Sequence, residues 1–285
     1  MPPSTTNTLE VPGARLHYEV RGHGPALLMI PGSNGDAELF DAVADLLAGR
    51  HTVISYDRRG FSRSTLDGPQ PAGWSETHAD DARRLLEAVA GGPSQVFGSS
   101  AGAVVGLALM SRSPDLVTRL IAHEPPLAEV LPDAADWRRF FANVYDTYLR
   151  DGTAPAMRSF MAGIGADSLE RPAGIGLELM GRLSGNLDHF LRHEVRQAPG
   201  HRPDLVALDA QRARIVPAGG RDSRRRFPYR PAAVLAARWG RQVVDFPGDH
   251  TGYWSRPGEF AAVLADVLAA PTAESGREDA DTADG

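Results

Sequence analysis

Short hydrophobic runs alternate with amphipathic stretches along the first part of the chain. Residues 8–11 and 15–20 alternate apolar and polar side chains around a Pro-Gly pair, which predicts a β-hairpin. Residues 26–30 are apolar without interruption, as in a strand that is buried on both faces of a sheet. Asp36 can then cap a helix that extends through Leu47, because apolar side chains follow it at helical spacing.

The same alternation continues further along the chain. It predicts strands at 52–56, 95–97 and 117–122, and helices at 80–90 and 101–111. Strands that are connected by helices form right-handed βαβ units. The sequence therefore predicts an α/β fold with a mostly parallel sheet.

The strand pattern disappears between residues 125 and 208. One helical pattern begins at Asp136, and a second places Ile175, Leu179, Met180 and Leu183 at helical spacing. Strands return at 214–217 and 242–246, and a helix at 257–269 ends the pattern. We therefore predict a core of residues 1–124 and 209–270, a helical lid at 125–208, and a disordered acidic tail at 271–285.

Composition narrows the classes of function. The chain has no run near the roughly 18 apolar residues of a membrane helix and no signal-peptide pattern, so we expect a cytoplasmic protein without membrane contact. A net charge of −6 argues against binding of nucleic acid. Cysteine and lysine are both absent, which excludes disulfides, thiolate catalysis and Schiff-base chemistry. We expect a small-molecule substrate, no cofactor and no metal; the oligomeric state stays open.

A pair of serines lies in the stretch Gly98-Ser99-Ser100-Ala101-Gly102. This stretch fits the G-x-S-x-G pattern only if Ser100 is central, since centring on Ser99 would put a phenylalanine at a small-residue position. Glycine and serine clusters can also form plain turns. The predicted strand before the motif and the predicted helix after it favour Ser100 as a nucleophile.

A serine hydroxyl needs a base, and the base needs an orienting carboxylate. His250 follows the strand at 242–246, and Asp222 follows the strand at 214–217. Both would emerge at the carboxyl edge of the sheet, near Ser100. We therefore predict a Ser100–His250–Asp222 triad, with Glu124 at an earlier strand end as the rival acid.

Taken together, these motifs resemble the α/β-hydrolase superfamily over roughly residues 8–269. The matching segments are Gly22-His23-Gly24-Pro25, Pro31-Gly32-Ser33, residues 56–64, the serine motif, Asp222 and His250. The resemblance implies the α/β-hydrolase fold, with a mostly parallel eight-stranded sheet flanked by helices and a helical lid inserted late. It also implies an oxyanion hole from the amides of Ser33 and Ala101. Pro31 departs from the histidine that many members carry before this glycine.

The function implied is that of a serine hydrolase that forms an acyl-enzyme. Its substrate would be a carboxylic ester, lactone or thioester of a small to mid-sized apolar molecule. Cleavage of an activated carbon–carbon bond is an alternative, as is a ligand-binding or cyclase member of the same fold. A serine nucleophile disfavours epoxide hydrolysis and dehalogenation, which use a carboxylate at this position.

Several other residues have competing interpretations. Phe140 and Tyr145 in the predicted lid are expected to bind substrate, while most lid aromatics form its core. His189 and His193 are four residues apart with Glu194 next to them, but they do not meet the HExxH pattern, so we expect a solvated or pocket-lining face. Asp57, Arg58 and Arg59 are expected to shape a turn and to pair internally. The arginines between 221 and 230 are expected to form a solvated loop.

Overall fold

The computed structural model describes residues 4–166 and 176–271. Within these ranges the chain forms a nine-stranded sheet whose main path has the order β1-β2-β4-β3-β6-β7-β8-β9. The strands are β1 (Ser4–Val11), β2 (Ala14–Gly22), β3 (Ala26–Ile30), β4 (Thr52–Tyr56), β5 (Thr65–Leu66), β6 (Ser94–Ser99), β7 (Val117–His123), β8 (Ile215–Gly220) and β9 (Val244–Phe246). Pairing is parallel from β4 through β3 to β9, and antiparallel among β1, β2 and β4.

Eleven α-helices connect or flank these strands within the described ranges. They are α1 (Asp41–Leu47), α2 (Trp74–Leu85), α3 (Ala101–Arg112), α4 (Ala134–Asp151), α5 (Thr153–Ile164), α6 (Leu177–His189), α7 (Gln197–Gly200), α8 (Leu205–Ala210), α9 (Tyr229–Arg238), α10 (Gly252–Ser255) and α11 (Pro257–Ala269). Helices α1 and α11 cover one face of the sheet, and α2 and α3 cover the other. Burial on both faces explains the uninterrupted apolar runs of the central strands.

The α/β fold predicted from the sequence is confirmed. The eight strands of the main path meet the expected number, and the two-residue β5, which pairs with β2, is additional. The helix predicted at 80–90 begins earlier, at Trp74, because the face that its first turns bury carries polar side chains such as Ser75 and His78. It continues into a π-helical turn (Leu86–Ala90) that ends at Gly91, where φ is 73°.

Helices α4 to α6 and the π-helical turn Phe190–Glu194 lie between β7 and β8, and we call them the helical insertion. Phe141 and Phe190 of the insertion share a buried cluster with Phe61 and Phe227, which come from loops after β4 and β8. The insertion therefore packs on the carboxyl edge of the sheet. Ile175 of the predicted second helix and the predicted tail beyond residue 271 lie outside the described residues. Across the described ranges, no helix combines the length and apolar character needed to span a membrane.

Candidate active site

The serine motif forms a sharp turn between β6 and α3. Ser100 occupies a strained backbone conformation there, with φ 55° and ψ −125°. The turn requires small neighbours: a Cβ at Gly98 would lie 2.4 Å from the Gly102 carbonyl oxygen, and a Cβ at Gly102 would lie 2.1 Å from the Ile30 carbonyl oxygen. Backbone atoms cannot move aside as side chains can. The turn is therefore centred on Ser100, as the spacing of the glycines predicts.

The two serines of the motif have different surroundings. Ser100 lines a large cavity, which the side chain of His250 also lines. Ser99 is fully buried, and its Oγ lies 3.5 Å from Nδ1 of the buried His123. Ser99 therefore belongs to the core beneath the motif, while Ser100 is available to a ligand.

A buried carboxylate lies behind His250. Oε2 of Glu124 is 2.5 Å from Nδ1 of His250, and Oε1 accepts a hydrogen bond of 2.8 Å from the amide of Gly220. Burial raises the pKa of Glu124, but the hydrogen bond and charge of His250 outweigh it, and the pKa lies below its ordinary value. The group is thus held as a carboxylate that fixes the histidine ring.

The prediction that Asp222 orients His250 is wrong in this structure. Asp222 lies in a single 3-10 turn (Arg221–Ser223) after β8, where its side chain is exposed and its amide donates to the Gly248 carbonyl oxygen at 3.1 Å. Glu124 follows β7, the neighbouring parallel strand. Its φ of 49° lies in the left-handed region, just where the chain leaves the strand. Glu124, the alternative acid predicted from the sequence, therefore lies beside the imidazole of His250.

The loop after β3 lies against Ser100. Gly32 and Ser33 both line the cavity, and a Cβ at Gly32 would lie only 2.9 Å from the Cβ of Ser100. Ala101 is the first residue of α3, so its N–H has no acceptor within the helix. Both predicted oxyanion donors are therefore next to Ser100, and their role stays a prediction.

The cavity has a volume of about 910 Å³ and a mostly apolar wall. The helical insertion supplies much of this wall, through Phe141, Met157, Phe160, Met161, Leu183 and Phe190. Ser100, His250, Ser33 and Asn34 form a polar end. A cavity of this kind can hold a mid-sized apolar molecule with one polar group directed at Ser100.

Phe140 and Tyr145, which the sequence predicts to bind substrate, are not among the residues that line this cavity, and their role stays a prediction. The ring of Phe140 packs edge-to-face on Trp137, with centroids 5.5 Å apart. Tyr145 lies under the guanidinium of Arg196, which is 3.7 Å from the ring centroid. Phe141, the next residue along α4, faces the cavity instead. The aromatic residues of α4 predict that this helix contributes to a pocket wall, but they do not predict which face of the helix does so.

The remaining charged residues form internal pairs. Asp57 pairs with Arg63, and Arg59 pairs with Asp81. Arg58 pairs with Glu194. These internal pairs are expected of a structural turn. Glu194, which follows His193, is fully buried. Among residues 4–166 and 176–271, no group of three or more acidic or histidine side chains could hold a metal ion.

His189, for which a solvated or pocket-lining face is expected, is half-buried. Its ring packs edge-to-face on Phe61, with centroids 4.6 Å apart, and burial lowers its pKa to about 4. The arginine-rich loop behaves as predicted, since Arg224 pairs with Asp245 and Arg230 pairs with Asp133 at exposed or half-exposed positions.

Comparison with known proteins agrees with the fold. The family model for the alpha/beta hydrolase fold matches residues 25–163. The uncharacterized hydrolase YraK of Bacillus subtilis (strain 168) is 39% identical over 267 residues, which cover 92% of this chain and 95% of that protein. This chain belongs to the α/β-hydrolase family. Zearalenone hydrolase of Bionectria ochroleuca is 26% identical to this hydrolase, over 92% of this chain and 97% of that protein.

The fold of this hydrolase is shared by solved structures of low sequence identity. A Pseudomonas aeruginosa protein, provisionally described as an epoxide hydrolase, has a TM-score of 0.68 and 20% identity over 94% of this chain and 96% of its own. Identity at this level shows a common fold and does not select a substrate class.

Proposed function

We propose that this hydrolase is a serine hydrolase that uses Ser100, His250 and Glu124 to cleave an ester, lactone or thioester through an acyl-enzyme. The observation that carries the proposal is the hydrogen bond between His250 Nδ1 and Glu124 Oε2, 2.5 Å long, beside the cavity that Ser100 lines. A buried carboxylate on Nδ1 leaves Nε2 of the same ring as the proton acceptor.

The reaction would proceed in two halves. Ser100 Oγ attacks the acyl carbon while His250 Nε2 takes its proton, and the amides of Ser33 and Ala101 stabilise the oxyanion. His250 then protonates the leaving oxygen or sulfur, and the acyl group stays on Ser100. A water molecule repeats the sequence: it gives a proton to His250, attacks the acyl carbon, and releases the acid and the serine hydroxyl.

The wall of the cavity supports the proposed substrate class. Aromatic and methionine side chains of the helical insertion favour an apolar acyl or alcohol part of small to middle size. In this proposal the insertion is a lid over the triad, and residues 125–208 form the unit that determines substrate choice. One relative is named zearalenone hydrolase, and this chain covers nearly all of its length. Zearalenone should therefore be included in the panel of substrates.

Two alternatives use the same residues. Hydrolysis of an activated carbon–carbon bond would need the same base and oxyanion donors, and a ligand-binding role would need only the cavity. Epoxide hydrolysis is disfavoured, because position 100 is a serine and the superfamily uses a carboxylate there for that reaction.

The test is labelling with a fluorophosphonate, a reagent that phosphonylates activated serines. The intact protein should gain one adduct, and peptide mass analysis should find it on Ser100. Ser100→Ala should abolish labelling and turnover without unfolding the protein, while the matched Ser99→Ala should keep substantial activity. A panel of esters, lactones, thioesters and β-diketones then separates ester-type cleavage from carbon–carbon cleavage. A folded wild-type protein that gains no adduct would contradict the proposal and favour a binding role.

A further inference from the structure

Arg58 connects the loop after β3 with the helical insertion through a fully buried guanidinium. Its Nη1 and Nη2 donate to the two carboxylate oxygens of Glu194, at 2.6 and 2.7 Å. Its Nη2 and Nε donate to the carbonyl oxygen of Gly32, at 2.9 and 3.3 Å. Both charged side chains are completely buried. One guanidinium thus links a carboxylate of the insertion to the backbone beside Ser100.

The carbonyl that Arg58 holds belongs to the same peptide unit as the amide of Ser33. A trans peptide is planar, and its C=O and N–H point in opposite directions. Fixing the Gly32 carbonyl towards Arg58 therefore fixes the Ser33 N–H on the opposite side of the loop. Ser100 lies against that loop, because a Cβ at Gly32 would come within 2.9 Å of the Ser100 Cβ.

The charge of Arg58 also acts on the peptide unit electrically. A cation at the carbonyl oxygen draws electron density along the peptide and makes its N–H a stronger donor. The paired Glu194 carboxylate offsets part of this charge, and burial keeps water from screening the remainder as it would at the surface. The result is an amide that is both oriented and strengthened for a developing negative charge.

Stability alone is a weak reason for such a pair. A buried arginine–carboxylate pair contributes little net stability compared with apolar side chains of similar volume. Glu194 is held in turn by His78, whose Nε2 lies 3.2 Å from Oε1. The chain therefore encloses three polar side chains in its interior where an apolar contact would suffice for packing. Of the three, Arg58 contacts the Gly32 carbonyl oxygen, while Glu194 and His78 hold Arg58 and each other.

The insertion contacts the same loop at a second point. Nδ2 of Asn186 donates to the Asn34 carbonyl oxygen at 2.7 Å and to Ser62 Oγ at 2.8 Å. Arg182 Nε donates to Asp36 at 2.7 Å. Docking of the insertion and the shape of the loop are thus linked by several buried or half-buried hydrogen bonds.

We propose that Arg58 is a positioning residue for the oxyanion hole, and that Glu194 of the helical insertion holds it in place. Arg58 keeps the Gly32–Ser33 peptide with its N–H towards the reacting carbonyl oxygen, and thereby makes the hole depend on a docked insertion. This inference rests on the proposed serine-hydrolase function. Pro31 has no N–H and cannot donate a hydrogen bond that would hold this loop. The hydrogen bonds from Arg58 hold the loop instead.

The test compares two buried ion pairs that begin at neighbouring arginines. R58M/E194L removes the pair at the loop, and R59M/D81L removes the bidentate Arg59–Asp81 pair, whose other contact is the carbonyl oxygen of Pro12. R58K is the milder variant, since a lysine keeps the charge but cannot make two contacts with one carbonyl. Each protein is assayed for kcat and KM on the best ester, for the rate of fluorophosphonate labelling, and for amide hydrogen exchange in residues 32–36.

We expect R58M/E194L to lower kcat and the labelling rate by about 10- to 100-fold, with KM changed by less than about threefold, because an oxyanion donor acts on the transition state. R58K should lie between this variant and the wild type. Amide exchange in residues 32–36 should become faster in both Arg58 variants. R59M/D81L should keep the wild-type kcat and loop exchange when it is measured well below its unfolding temperature.

Unchanged kcat and unchanged loop exchange in R58K and R58M/E194L would overturn the inference. An equal loss in R59M/D81L would also overturn it, because the effect would then be one of general destabilisation. A wild-type protein that neither hydrolyses the panel nor reacts with the fluorophosphonate refutes the proposed function and not this inference by itself. In that event the exchange rates alone decide whether Arg58 holds the loop.

Discussion

Nδ1 of His250 lies 2.5 Å from Oε2 of Glu124, although 126 residues separate them along the chain. The contact forms because β7, β8 and β9 are parallel neighbours whose carboxyl ends meet at one edge of the sheet. The second carboxylate oxygen is held by the Gly220 amide at the end of β8. The carboxylate is therefore fixed by the sheet itself, and it can in turn fix the ring.

Removing the charge of Glu124 should disable the histidine as a base. We expect Glu124→Gln to lower kcat by roughly 10³- to 10⁴-fold, since an amide favours the wrong tautomer and does not stabilise an imidazolium. Asp222→Asn is the matched control at the exposed position and should keep wild-type activity. Steady-state kinetics on one ester, with circular dichroism as a check on folding, measures both. A large loss in Asp222→Asn with little loss in Glu124→Gln would contradict the assignment.

The serine turn should reject even one extra methyl group. In Gly102→Ala the new Cβ would meet the Ile30 carbonyl oxygen at 2.1 Å, so the loop or the helix must shift. We expect the loss of most activity and a free energy of unfolding lowered by a few kcal/mol, as for other overpacked sites (about 1–3 kcal/mol). Denaturant unfolding and ester turnover measure the two effects.

Gly258→Ala is the control for that substitution. Gly258 is also in the first turn of a helix, but a Cβ there has nothing within 4 Å. This variant should be neutral or more stable by up to about 1 kcal/mol. Similar behaviour of the two alanine variants would show that the turn tolerates a side chain and that its glycines are not required.

Residues of the cavity wall should determine substrate preference. We expect Phe160→Leu and Met157→Ala to shift the preferred acyl length by widening the cavity, each changing relative kcat/KM by a few-fold to about 100-fold. Tyr145→Leu alters an aromatic residue of the same insertion outside the cavity, and should leave the ranking of substrates unchanged. Competition between acyl esters of graded length measures the ranking. A ranking that moves only in Tyr145→Leu would place the pocket elsewhere.

Acid should destabilise the fold through His123. Burial lowers the pKa of His123 to about 4 from its ordinary 6.5, so the unfolded chain binds more protons than the folded one between these values. The free energy of unfolding should therefore fall as the pH falls from about 6.5 to 4, by at most about 3 kcal/mol for this group. Urea unfolding at pH 7.5, 5.5 and 4.5 gives the slope.

His123→Phe removes the titrating group but keeps an aromatic ring among Phe97, Phe246 and Phe260. Its free energy of unfolding should depend less on pH over the same window, whatever its value at pH 7.5. The pKa of His189 is also lowered by burial, so part of the pH dependence of the free energy of unfolding should remain in this variant. An identical slope in the wild type and in His123→Phe would refute this origin of the acid sensitivity.

Features that depend on neighbours along the chain can be predicted from the residues alone. The spacing of Gly98 and Gly102 identifies Ser100, because the strand, the turn and the helix that need those glycines are consecutive. The uninterrupted apolar runs predict strands buried on both faces for the same local reason. His250 can be predicted as the base because it comes just after the last predicted strand.

The contacts between distant groups depend on how the elements pack. Glu124 and Asp222 both follow strands that end at one edge, and only the path of the chain beyond each strand makes one buried and the other exposed. Phe140 and Phe141 are adjacent and chemically alike, so the rotation of α4 on the sheet selects the one that lines the cavity. Arg58 and Glu194 are 136 residues apart, and no local pattern records their pairing. Packing determines which side chains are buried and which way each one points. The periodicity of the sequence predicts which face of an element is apolar, but not what that face contacts.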